Sequence, residues 1–167
     1  MDILPIRLLP DPILTRPTQP VDKVDDAVTL LIQRLVATMR RHPRCVGLAA
    51  PQVGSHLKVA VMDASGHPKA THHSGLLVLV NPTIETTHGA TIQREGCLSI
   101  PDFTADVRRA THLHLRARDA TGSMQTLQLQ GFEAIIAQHE IDHLNGTLFL
   151  DRVANMETDV FRRKRYG

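Results

Sequence analysis

The chain has very few aromatic residues. Its 167 residues include no Trp, one Tyr and four Phe, so aromatics make up only 3% of the sequence. Because 42% of the residues are nevertheless apolar, we expect a core built mainly from aliphatic side chains. A chain of this length can bury an adequate core in one unit, and we expect residues 1–167 to form a single domain.

The chain also has few cysteines, little net charge and no long apolar run. Two cysteines are too few for a disulfide framework, which favours a reducing compartment. A net charge of +2 gives no argument for nucleic-acid binding. No apolar run approaches the length of a membrane span, and residues 1–5 resemble neither a signal nor a transit peptide. We therefore expect a cytoplasmic protein without membrane contact, with an organelle as the alternative if a transit peptide has been removed.

The order of apolar and polar residues indicates an α+β fold. Prolines punctuate an extended amino-terminal arm, and apolar residues at helical spacing predict a helix over residues 25–41. Alternating patterns predict strands at 57–62, 76–80, 111–119 and 124–130, with polar loops at 67–74 and 100–102. Two helices among strands, without a regular βαβ repeat, favour small antiparallel sheets.

The most informative stretch has the pattern His-Glu-x-x-His. On a helix, His139 and His143 point the same way, and Glu140 lies one position round from His139. Two imidazoles on one face with an adjacent carboxylate are typical of a metal-dependent hydrolase. The bulky residues Phe132 and Ile135 precede them at helical spacing, so the histidines continue a buried stripe. Gly146 is a suitable stop for this helix.

The third metal ligand remains open on the pattern alone. One large class of zinc peptidases takes it six residues after the second histidine, but Phe149 stands there and cannot ligate. Glu157 is a weak candidate from a second class. Cys97 offers a thiolate, a strong ligand for zinc or ferrous iron, although a lone cysteine at this spacing is more often a small buried apolar residue.

Three segments together resemble peptide deformylases. Residues 138–146 (QHEIDHLNG) and 95–99 (EGCLS) match two family patterns in full. Residues 45–52 (CVGLAAPQ) match a third, Gly-x-Gly-x-Ala-Ala-x-Gln, with Cys45 in place of the first glycine. The order and separation of the segments also agree, and the resemblance spans nearly the whole chain. It implies small antiparallel sheets packed around a central metal-binding helix.

The resemblance implies a reaction and a role for each site residue. The substrate is expected to be an N-formylmethionyl nascent peptide, whose formyl group is removed as formate. Cys97, His139 and His143 would hold one divalent metal ion, with Fe²⁺ expected in the native state and Zn²⁺ or another transition metal as alternatives. Glu140 would move the proton of the attacking water. The Gln52 side chain and the Leu98 backbone N–H would meet the formyl oxygen.

The resemblance also implies a substrate pocket and leaves two rival functions. The expected pocket residues are Val46, Gly47, Gly96, Phe132, Ile135 and Ile136. One rival is a metallopeptidase of another His-Glu-x-x-His class, and the other is a noncatalytic metal- or peptide-binding module. Glu140 and Gln52 are both present, whereas a decayed enzyme usually loses its proton shuttle. A basic tail at residues 161–166 suggests either a solvated end or contact with the ribosome.

Four side-chain interpretations complete the sequence-based expectations. Glu95 and Arg109 either pair across the site entrance or stay solvated, and Asp142 either orients a metal ligand or forms a structural salt bridge. Cys45 places a second thiol near the metal, which suggests that the enzyme is sensitive to oxidants. One face of the predicted strand at residues 111–119 is polar and expected to be solvent-exposed, which argues against His112 and His114 as metal ligands.

Overall fold

The computed structural model describes residues 2–164 and contains two α-helices and eight β-strands in that range. In chain order, these are α1 (Asp26–Arg41), β1 (Gly47–Ala49), β2 (Val59–Asp63), β3 (Leu76–His88), β4 (Thr91–Cys97), β5 (Ile100–Arg109), β6 (His112–Arg118), β7 (Met124–Gln130), α2 (Phe132–Leu144) and β8 (Val160–Arg162). Three short 3-10 turns lie at Pro12–Thr15, Ala50–Val53 and Phe149–Arg152. Neither helix has the length and apolar content that a membrane crossing requires.

The first helix agrees with its predicted span to within one residue. Asp25 is its N-cap, and the Asp25 carboxylate accepts a hydrogen bond from the Val28 N–H. The buried side chains of α1, including Val28, Ile32 and Leu35, pack on β1 and β2. The helix ends at Arg41, two residues before a proline that disfavours helical backbone in the residue ahead of it.

All strand pairs within the two sheets are antiparallel. One sheet has five strands in the order β1-β2-β3-β6-β7, and the other has three in the order β4-β5-β8. The predicted strands at 57–62, 76–80, 111–119 and 124–130 correspond to β2, β3, β6 and β7. The α+β prediction is confirmed, with β3 running eight residues beyond its expected end.

The predicted loop at residues 100–102 is wrong, because Ile100 begins β5 directly after a two-residue turn from β4. Proline is tolerated there since Pro101 lies at the start of the strand, and pairing with β8 begins only at Phe103. The tail residues Phe161 and Arg162 form part of β8, so this part of the tail is not a frayed end. Residues 165–167 lie outside the described range.

The second helix is buried on nearly every side. Ala134, Ile136, Ala137 and Ile141 pack against the aliphatic face of the five-stranded sheet, so the core is aliphatic as expected. The opposite face of α2 turns toward the end of β4, where Phe149 stacks on the ring of His139 at 6.1 Å. At Gly146 the backbone turns left-handed (φ +76°), which ends the helix region at the predicted position.

Candidate active site and metal centre

Cys97, His139 and His143 meet between β4 and α2. One ligand atom from each residue lies within 4.8 Å of the others, and among residues 2–164 this is the one such group of three or more potential ligands. The Cys97 sulfur is 3.3 Å from Nε2 of His143, and the two imidazole rings are 5.0 Å apart at 70°. Coordination by one cation requires this kind of convergence, so the structure brings the three predicted ligands together.

The surroundings of His139 fit a metal ligand. Its Nδ1 lies 2.8 Å from Oε1 of Glu95, which leaves Nε2 to face the other two ligands. Glu95 in turn accepts hydrogen bonds from Arg109 at 2.7 and 2.9 Å. A thiolate with two imidazoles is a donor set suited to zinc or ferrous iron, so the residues present fit a divalent transition metal.

Cys97 and His139 shift each other's pKa values in opposite directions. Burial would raise the pKa of the Cys97 thiol, but the charge of His143 and hydrogen bonds from both histidines lower that pKa well below its ordinary value. Burial would lower the pKa of His139, and hydrogen bonds with Cys97 and Glu95 raise it well above the ordinary range instead. The lowered pKa favours the thiolate of Cys97, which is the form that binds a metal, and a bound cation would replace the proton that the raised pKa favours on His139.

A buried network of charged side chains lies next to these ligands and holds them in place. Burial would raise the pKa of Glu95, yet hydrogen bonds from Arg109 and His139 lower it to about 2. Arg109 also donates to Asp142 at 2.6 Å, and Arg152 reaches the same carboxylate at 2.8 Å. The expected Glu95–Arg109 pair is present but lies beneath the metal ligands, so the solvated alternative and the placement across the entrance are wrong. Asp142 forms a salt bridge.

Glu140 is held in an unusual environment for a carboxylate. Its side chain is buried, and its Oε1 atom has no hydrogen-bond partner among residues 2–164. Burial raises its pKa, and the neighbouring His139 and His143 offset part of that rise. An ideal Cβ added to Gly47 would come within 2.8 Å of the Glu140 carboxyl carbon. Gly47 therefore leaves the space that the carboxylate occupies, a role that its motif position alone did not reveal.

Hydrogen bonds at both the oxygen and the nitrogen fix the orientation of the Gln52 side-chain amide. Oε1 accepts a hydrogen bond from the Ala49 N–H at 3.0 Å, so the amide nitrogen must face the opposite way. That nitrogen donates to the Ser99 hydroxyl at 3.1 Å and lies 3.4 Å from the Cys97 sulfur. The Gln52 side chain thus presents an N–H group beside the metal ligands. Ser99 orients it, and the sequence reading assigned Ser99 no role.

A cavity of about 330 Å³ opens onto this group. Its walls include every residue expected in the substrate pocket, together with Leu98: Val46, Gly47, Gly96, Leu98, Phe132, Ile135 and Ile136. His67 stacks on the Phe132 ring at 4.6 Å. Apolar side chains therefore line one side of the cavity, next to the metal ligands and the Glu140 carboxylate.

The mouth of the cavity is basic, which sequence reasoning missed. Arg44, Lys69, Arg94 and Arg163 all contribute to its lining. The Arg163 guanidinium lies directly over Gly96, where an added Cβ would be 3.3 Å from Cζ. Strand β8 delivers this arginine, because it pairs with β5 and its Phe161 ring packs under Arg94 at 3.6 Å. The basic composition of the tail was the available signal.

The remaining candidates lie elsewhere or differ from expectation. Glu157 is exposed and does not belong to the group of converging ligands found among residues 2–164. Cys45 lines the cavity, and its thiol donates to the Gly47 carbonyl at 3.3 Å. Burial and the nearby Glu140 charge raise the pKa of Cys45 to about 12. Little thiolate then exists at neutral pH, which argues against the oxidant sensitivity expected for Cys45.

Fold and site together define a metal-dependent hydrolase with a Cys-His-His ligand set and a buried carboxylate. The family model for polypeptide deformylase matches residues 3–159. The chain belongs to the peptide deformylase family, whose reaction is the removal of the formyl group from N-formylmethionyl peptides. The predicted family and activity are confirmed.

Individual relatives match this chain over almost their entire lengths. A peptide deformylase of Brucella suis is 38% identical over 98% of this chain and 92% of its own length. One from Cellvibrio japonicus is 41% identical over 98% of this chain and 94% of its own. A crystal structure of the Ehrlichia chaffeensis enzyme in complex with actinonin has a TM-score of 0.87 and 32% identity, and covers 94% of this chain and 92% of that one.

Proposed function

We propose that Cys97, His139 and His143 hold one divalent metal ion and that Glu140 moves protons beside it. A metal ion in such a site supplies a Lewis acid, which lowers the pKa of water and polarises a carbonyl oxygen. Glu140 takes the proton of the attacking water on its unpartnered Oε1 and passes it to the departing methionine nitrogen. The single observation that carries this assignment is the buried Glu140 carboxylate, whose Oε1 has no partner among the described residues, beside three converging ligand atoms.

In the same proposal, Gln52 and Leu98 stabilise the negative charge that develops on the formyl oxygen. The Gln52 amide is already oriented by Ala49 and Ser99, so little reorganisation is needed when it donates to an oxyanion. Leu98 lines the cavity next to Cys97 and would contribute its backbone N–H. Loss of one such donor typically reduces kcat by about 10²–10³-fold.

The substrate pocket follows from the same cavity. Ile135, Ile136 and Phe132 form its apolar wall and suit an unbranched, flexible side chain such as methionine. Val46 and Gly47 on one side and Gly96 on the other are placed to contact a peptide backbone. The basic mouth adds a preference for acidic residues after the methionine. Formyl-Met-Ala-Glu should therefore give a higher kcat/KM than formyl-Met-Ala-Lys, and Arg163→Ala should reduce the difference.

Formate release from formyl-Met-Ala-Ser is the direct test. Wild type should release formate, and Glu140→Gln should lower kcat by about 10²–10⁴-fold with the metal retained. Cys97→Ser should lose metal, whereas the matched surface variant Glu157→Gln should keep both metal and activity. Metal loss in Glu157→Gln would favour the rival metallopeptidase, and an inactive, metal-loaded wild type would favour a noncatalytic module.

We propose Fe²⁺ as the native metal. Ferrous iron oxidises readily, so activity should decay in air and should persist after exchange with nickel or cobalt. Zinc as the major metal in anaerobically purified protein would contradict this assignment. The thiolate–imidazole donor set accommodates either ion.

The surroundings of the enzyme form the last part of the proposal. Residues 1–167 act as one domain in the cytoplasm, on nascent peptides, with the basic tail contacting the ribosome. Deleting residues 163–167 removes tail charges but spares β8, and it should weaken co-sedimentation with ribosomes. Unchanged sedimentation would exclude this part of the tail as the contact.

A further inference from the structure

A second cleft lies at the edge of the five-stranded sheet, where β3 ends and β6 begins. It has a volume of about 440 Å³, and five of the ten histidines of the chain line it: His72, His73, His88, His112 and His114. Among residues 2–164, no Lys or Arg lines this cleft, and the one charged lining residue is Glu133. In this part of the chain, the cleft therefore offers imidazole nitrogens without neighbouring Lys or Arg side chains.

Two of these histidines lie opposite each other on the neighbouring strands β3 and β6. His88 and His112 are cross-strand partners, with ring centroids 5.8 Å apart and an angle of 63° between the rings. The metal-ligand pair of the active site, His139 and His143, has centroids 5.0 Å apart at 70°. The second pair thus resembles the first in the separation of its ring centroids and in its edge-to-face orientation.

A hydrogen bond also holds the His112 ring in place. The Thr111 hydroxyl oxygen lies 3.1 Å from the His88 carbonyl oxygen and 2.8 Å from Nδ1 of His112. The contact with Thr111 occupies Nδ1, so Nε2 is the ring nitrogen of His112 that is left to reach a cation. This arrangement, with one ring nitrogen anchored and the other available, is typical of histidine ligands.

Further donors lie within the same cleft. His114 is two residues along β6 from His112, on the same face of the strand. His72 and His73 precede Ser74, whose backbone N–H and hydroxyl both donate to the buried Glu133 carboxylate. That contact ties the loop to α2 and keeps both loop histidines at the cleft. Among residues 2–164, however, three ligand atoms converge within 4.8 Å at the Cys97 centre alone.

Exposure on β6 argued against His112 as a ligand of the active-site metal, and it contributes nothing to the Cys97 centre. We propose that His88 and His112 instead form a second, separate metal site, for a divalent ion that favours imidazole, such as Zn²⁺, Ni²⁺ or Cu²⁺. Water completes the coordination, or His72 or His73 does so after a movement of the loop. The site is separate from the Cys97 centre and shares no residue with its cavity. Its affinity is lower than that of the Cys97 centre, because it starts with two protein ligands and not three.

Zinc alone is the probe for this site. The metal-loaded wild-type enzyme, dialysed against excess Zn²⁺ and analysed for total metal, should contain two ions per chain. The variant His88→Asn/His112→Asn should contain one, and His56→Asn, which changes an exposed histidine outside both cavities, should contain two. Formate release should be equal in all three proteins, because neither His88 nor His112 belongs to the active site.

A second measurement guards against an indirect effect of the double substitution. In the wild type, the imidazole NMR signals of His88 and His112 should shift or broaden as Zn²⁺ is added beyond one equivalent, and the His56 signals should not. One ion per chain in the wild type, a second ion retained by the double variant, or unperturbed His88 and His112 signals would each overturn the second site.

Discussion

Substitution of Gly47 by Ala should separate two explanations for this glycine. An ideal Cβ at Gly47 would lie 2.8 Å from the carboxyl carbon of Glu140, a distance that real Cβ atoms essentially never show, and 3.0 Å from its Cγ, which is tighter than most real Cβ contacts. Relief to an ordinary contact of about 3.5 Å requires the carboxylate to move by roughly 0.5–1 Å. A misplacement of about 1 Å in a catalytic group costs on the order of 10²-fold in rate.

Kinetics and stability together test this reasoning. Gly47→Ala should lower kcat for formyl-Met-Ala-Ser about 10²-fold, while the metal content stays at the wild-type level. In a Glu140→Ala background the contact no longer exists, so adding Gly47→Ala should change kcat by less than about 3-fold. Equal losses in both backgrounds would refute the spatial explanation and favour a direct contact between Gly47 and the substrate.

Three further changes have defined outcomes. Arg109→Leu leaves two buried carboxylates without their shared partner and should destabilise the fold by about 3–5 kcal/mol in urea unfolding, whereas the half-exposed Arg152→Leu should cost under about 1 kcal/mol. The folded-state pKa of Glu95 is about 2, below its ordinary 4.5, so its ionised form stabilises the fold fully above pH 4.5. This stabilisation is lost as pH falls toward 2, and the free energy of unfolding should therefore fall more steeply in the wild type than in Glu95→Gln. Cys45→Gly should leave the rate of peroxide inactivation unchanged, because the high pKa keeps the Cys45 thiol protonated.

Hydrophobic periodicity predicted the helices and strands in which apolar residues recur at one regular spacing. The helix at Asp26–Arg41 has a regular apolar stripe and an N-cap aspartate, and the strand at Met124–Gln130 alternates without interruption. The extent of β3 was missed because Asn81 has a left-handed backbone (φ +52°) next to a proline, and such a pair reads as a strand end. Pro101 hid the start of β5 for a similar reason, although its position needs no ladder hydrogen bond.

The metal ligands were predictable, but several of the contacts that support them were not. His139 and His143 follow from helical spacing, while Cys97 entered only through the family resemblance, because spacing alone did not favour it. Contacts such as Gly47 with Glu140 or Ser99 with Gln52 join residues far apart in the chain. No local pattern encodes them, since they arise only when β1, β4 and α2 pack together.

The active-site cavity draws on residues that lie far apart in the chain, from Pro43 to Arg163. During synthesis, the helix with the two histidines and Arg163, which follows β8, emerge after the cavity residues of β1 and β4. A growing copy of this enzyme therefore has no complete cavity while most of its sequence is still being made. If its own synthesis starts with N-formylmethionine, a finished copy must process each new one, which makes the enzyme one of its own substrates.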